Sequence, residues 1–90
     1  MRLNVDIARD LDLLDGLRSR LAMLGVRAEM REHLMSLVVF AASPAMPVCV
    51  FVGHCGRCFS WHSGQERHPV TDLAGAAMRL AGLRKRRPLL

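Results

Sequence analysis

The run His54-Cys55-Gly56-Arg57-Cys58 holds the densest set of chemically capable side chains in this 90-residue sequence. Two thiols two residues apart, with His54, His62 and His68 nearby, offer the thiolate and imidazole ligands that zinc takes in tetrahedral sites. A closed structural site usually draws on two separated ligand pairs. Here one pair is followed only by single histidines, so a lone CxxC is not specific for metal. The competing reading is a β-hairpin. Gly56 suits the first central position of a two-residue type II′ turn, which would set Cys55 directly opposite Cys58. Redox chemistry fits less well, because thiols activated by a helix dipole sit at a helix N-terminus and these fall between two strands. Cys49, inside an apolar run, reads as a small buried hydrophobe.

Other chemistry has thinner support. No glycine-flanked serine elbow, paired-carboxylate motif, phosphate-binding glycine loop or Walker lysine occurs. Asp10, Asp12 and Asp15 read as the solvated side of a helix, and His33 as an exposed hairpin residue. The basic run Arg84-Lys85-Arg86-Arg87 is a candidate anion-binding tail that could meet nucleic acid. It equally suits a helix C-terminus, where cations face the negative end of the dipole. The tail supplies four charges of a net +5, so the rest of the chain is nearly neutral. A basic face across the whole domain, the usual footprint of nucleic-acid binding, is not expected.

The elements that must position these groups follow from periodicity. Ile7, Leu11, Leu14, Leu17, Leu21 and Leu24 recur at steps of three and four, which predicts an amphipathic helix over residues 5–24. Asn4 or Asp6 can cap it, and Gly25 can end it, with Val26 folding back on the last turn. The period then becomes two. Val26, Ala28 and Met30 alternate with Arg27, Glu29 and Arg31 as in a half-buried strand. Leu37 to Ala42 and Val48 to His54 read as strands apolar on both faces, joined by a loop with Pro44 and Pro47. Cys58 to Ser63 is a fourth strand, with Phe59 and Trp61 on one face. Ser63 to Glu66 is a turn, Arg67 to Val70 a short extended approach, and Thr71 the cap of a second helix running to about Arg84.

The expected fold is therefore α+β: helix, an antiparallel meander of three to four strands, helix, with both helices on one face of the sheet. One domain spans residues 1–83, followed by the basic tail 84–90. If Leu37, Val39, Val48, Val50 and Val52 face the helices, then Val38, Phe40, Cys49 and Phe51 lie on the other side. An apolar face with no helix left to cover it suggests an interface.

Composition agrees with a globular domain, at 51% hydrophobic and 23% charged residues. Such a length buries roughly 60–65% of the unfolded chain's surface. Twelve arginines against one lysine, and no tyrosine, point to a GC-rich bacterial gene. Acidic residues near the start do not suit a signal peptide, and the longest apolar stretch is too short and too rich in proline to span a bilayer. A cytoplasmic location with reduced thiols is the expectation.

The stretch Cys58-Phe59-Ser60-Trp61-His62-Ser63-Gly64, followed by His68-Pro69-Val70-Thr71-Asp72-Leu73-Ala74-Gly75-Ala76-Ala77, resembles a group of short uncharacterised actinobacterial α+β proteins. They share this outline of helix, β-meander and Ala-rich helix. The resemblance implies the fold and brings no shared catalytic set.

The functional expectation is a non-enzymatic interaction or regulatory accessory protein. It would act through an exposed sheet face or edge as a homodimer or with a protein partner, with no cofactor and no membrane. The alternatives are a zinc module on Cys55, Cys58 and a histidine, and nucleic-acid association through the tail.

Overall fold

A computed structural model describes residues 7–41, 47–53, 56–62 and 64–85 of the chain, apart from the side chains of Arg84 and Lys85. Helix α1 spans Ile7–Met23, and its Leu14, Leu17 and Leu21 are fully buried, as the three-and-four spacing requires. The helix closes in a Schellman arrangement. The Val26 N–H donates to the Leu21 carbonyl at 2.8 Å, and the Gly25 N–H to the Ala22 carbonyl at 3.0 Å. Gly25 sits at φ +78°, a left-handed backbone that glycine adopts without steric cost. The capping candidates Asn4 and Asp6 lie outside the described residues.

Five strands follow: β1 (Ala28–Arg31), β2 (Ser36–Val39), β3 (Val48–Gly53), β4 (Cys58–Trp61) and β5 (Glu66–Pro69). They form one antiparallel sheet in the order β1-β2-β3-β4-β5. The meander thus has one strand more than the sequence led us to expect. The addition is the segment read as an extended approach, which pairs with β4 along its length. Helix α2 then spans Leu73–Ala81 and tightens into a 3-10 turn over Gly82–Lys85. Its N-cap is Asp72 rather than Thr71, because the Asp72 side chain accepts the Gly75 N–H.

Both helices cover the same face of the sheet. Leu14, Leu17 and Leu21 of α1 and Ala76, Ala77 and Leu80 of α2 share a core with Leu37, Val39, Val50, Phe59 and Trp61. Small residues let the helices close on each other. At Gly16 a Cβ would come within 3.2 Å of Leu73 Cδ1, so α1 is thinned where α2 begins.

Candidate functional site

Register decides what stands on the side of the sheet without helices. Leu37, Val39, Val50, Phe59 and Trp61 point into the core, so their neighbours along each strand point away. On β2 and β3 these are Ser36, Val38, Cys49 and Phe51, with Val38 paired to Cys49 and Ser36 to Phe51. The pairing continues outward in both directions. Arg31 faces Ser36, Phe51 faces Ser60, and Ser60 faces Arg67. A single transverse row, Arg31–Ser36–Phe51–Ser60–Arg67, therefore crosses all five strands, about 19 Å from end to end at the usual strand spacing.

Among the described residues, the middle of this face is largely apolar, with its β3 positions exposed and Ser36 of β2 buried. Phe51 is 45% exposed, and Cys49 is exposed beside it. Val38 is nearly covered by its neighbours. This corrects the expectation that Cys49 is buried: β3 is apolar on both faces, but only the face bearing Val48, Val50 and Val52 meets the helices. Phe40, just past the end of β2, is half-buried, and the Arg27 guanidinium lies 4.9 Å from its ring centre. Arg27 and Arg31 share one carboxylate, Glu29, at 2.5 Å and 3.1 Å. Among the described residues, Arg67 pairs with no carboxylate.

The two edges offer less. Arg27, Glu29 and Arg31 place charges along β1, and Pro69 ends β5, features that discourage addition of a further strand. Arg79 of α2 also donates to the Arg67 carbonyl on β5 at 2.5 Å.

A second polar group joins β5 to α2, and the sequence pattern did not reveal it. His68 Nε2 donates to Asp72 Oδ2 at 2.9 Å, while Arg79 Nη1 lies 3.4 Å from His68 Nδ1. Arg79 also donates to Glu66 Oε1 and stacks over Trp61 at 5.0 Å. The hydrogen bond from His68, with that from the Gly75 N–H, holds the Asp72 carboxyl below its ordinary pKa. Trp61, His62, Glu66, Arg79 and Leu83 line a shallow cleft of about 130 Å³ beside this group. The arrangement resembles an acid–base pair, but both imidazole nitrogens are engaged, one by a carboxylate and one by a guanidinium. Its chemical role is to fasten α2 to β5. The signal in the sequence was the spacing of His68 and Asp72, which becomes meaningful only when a strand ends and a helix begins between them.

Of the zinc candidates, Cys58 and His62 are described. His54 and Cys55 lie outside the described residues. Cys58 and His62 sit at opposite ends of β4, separated by roughly 13 Å of extended chain. A tetrahedral ion needs every ligand atom about 2.0–2.3 Å away. His62 has left the strand at φ +55°. Among the described residues, no three His, Cys, Asp or Glu side chains gather as a metal site. The hairpin itself differs from the two-residue turn expected. Cys58 stands opposite Gly53, not Cys55. The Gly53 carbonyl accepts from the N–H groups of both Gly56 and Arg57, and Gly56 lies at φ +81°. The turn is thus longer by two residues than expected. Of the tail, Arg86 and Arg87 and the side chains of Arg84 and Lys85 lie outside the described residues.

On the opposite surface, Met23 and Met78 flank a shallow apolar groove of about 110 Å³ between the helices. No described helix is long and apolar enough to cross a membrane. Compared with family models, curated proteins and solved structures, the chain matches none.

Proposed function

We propose that this chain is a non-enzymatic protein-interaction module, an accessory factor that works through the helix-free face of its sheet. One observation carries the reading. The central strand β3 is apolar on both faces, a pattern of two-sided burial, yet one face stays open with Phe51 and Cys49 exposed at its middle. The engaged ring nitrogens of His68 and the charged or proline-bearing edges weigh against catalysis and strand addition. Reduced thiols and a cytoplasmic setting accord with this role.

A photoreactive phenylalanine analogue placed at position 51, or at position 78 on the helix side, tests the proposal in cells that express the protein. Discrete protein adducts from position 51 and none from 78 are expected. Adducts only from 78 would move the working surface to the helices and overturn the reading.

A further inference from the structure

Resting on that assignment of the working face, we infer that its occupant is an acidic segment of another protein. It sets an apolar residue on Phe51 between carboxylates that meet Arg31 and Arg67. The transverse row supplies the geometry. Phe51 is the exposed ring at its centre, and the two arginines stand about 9–10 Å to either side, two strand spacings away. That distance matches about three residues of a polyproline-II chain, whose three-residue turn returns side chains to one face, so the complementary segment carries acids three positions before and after its apolar residue. The hydroxyl of the half-buried Ser60, between ring and Arg67, can serve as donor or acceptor to the segment's backbone, whereas Ser36 on the other side is buried.

Charge selects this occupant over two others. Glu29 is already shared by Arg27 and Arg31, and Arg67 has no carboxylate partner among the described residues, so the face is positive. A second copy packed face to face with aligned strands and centred on Phe51 would set Arg31 against its own counterpart or against Arg67. Single-stranded nucleic acid would welcome the arginines, but it binds by stacking successive bases on aromatic rings. Here one ring, Phe40, already has Arg27 over it, and Val38 and Cys49 present no aromatic surface.

The test uses the full chain and a fluorescein-labelled peptide, Glu-Glu-Ser-Leu-Phe-Leu-Ser-Glu-Glu, read by fluorescence anisotropy at low and moderate salt. A second peptide carries Lys in place of every Glu. The wild-type protein should bind the acidic peptide saturably and the basic one at least ten-fold more weakly. Phe51→Ser should weaken acidic-peptide binding at least ten-fold. The double reversal Arg31→Glu with Arg67→Glu should invert the preference. Bound acidic peptide should also slow alkylation of Cys49, a readout that needs no variant. Binding of the acidic peptide that ignores Phe51→Ser, or no binding at all, overturns the inference. Should the peptide fail while sedimentation shows self-association abolished by Phe51→Ser, the occupant is a second copy and the interaction reading stands. Should a decauridylate bind in its place with the same dependence on Phe51, both readings fall.

Discussion

Arg31 and Arg67 stand on the two outermost strands in line with Phe51, which lies midway between them on β3. The alignment comes from four successive pairings, Arg31 with Ser36, Ser36 with Phe51, Phe51 with Ser60 and Ser60 with Arg67. A slip of one residue in any of them would exchange core and outer faces on one side of the sheet. The core therefore fixes which residues stand on the outer face. Burying Leu37, Val39, Val50 and Phe59 excludes every slip by an odd number of residues.

Two phenylalanines on neighbouring strands should respond oppositely to truncation. Phe59 is fully buried and Phe51 is not. Phe59→Ala should cost about 3–5 kcal/mol through lost contacts and a residual cavity. Phe51→Ser should stay within about 0.5 kcal/mol of wild type, as surface changes usually do. Urea unfolding of both variants checks the assignment, and equal losses would contradict it.

Gly25→Ala should destabilise the fold by about 1 kcal/mol, because an L side chain at φ +78° strains the backbone that closes α1. The measurement is the thermal midpoint. An unchanged or raised midpoint would mean that the chain closes this helix differently.

The clasp between His68 and Asp72 should make stability depend on acid. The folded state lowers the Asp72 pKa from an ordinary value of 3.8. The ionised carboxylate therefore stabilises the fold fully above that value, and its contribution disappears as pH falls through the lowered one. Asp72→Asn should unfold at a lower temperature than wild type at pH 7. The two curves should converge once pH has fallen through the lowered value, where the wild-type carboxyl is neutral too. A gap that stays constant across this range would contradict the assignment.

Cys49 should react with iodoacetamide under native conditions faster than Cys58, since the first is exposed and the second partly covered. Peptide mass mapping after brief labelling distinguishes them. Slower labelling at Cys49 would return it to the interior, where its apolar neighbours in the chain first suggested it belonged.

The contrast at Cys49 shows which parts of the fold were legible from residue order. Leu14, Leu17 and Leu21 carry a helical period, and Gly25 a stop signal, so α1 and its end could be read directly. The two faces of β2 and β3 could be separated because strands alternate. What occupies the outer face could not be read, since an apolar residue looks the same whether a helix or solvent covers it. Strand β5 was hidden for a different reason. Its inward residues Glu66 and His68 are satisfied by Arg79 and Asp72 and not by apolar packing, so no alternating pattern marks it. Without β5 the position of Arg67, and with it the transverse row, cannot be derived. At the start of α2, Thr71 and Asp72 are both good caps, and only the hydrogen bond from Gly75 separates them. In the β3–β4 turn, Gly56 suits loops of more than one length, and the register with β3 decides between them.

Amide chemical-shift mapping on isotope-labelled protein, titrated with the acidic peptide, most directly tests whether the helix-free face is the working surface. The largest changes should fall on Ser36, Cys49, Phe51, Ser60 and Arg67, with α2 little affected. Changes centred on Met23, Ala77 and Met78, in the groove between the helices, would contradict the account.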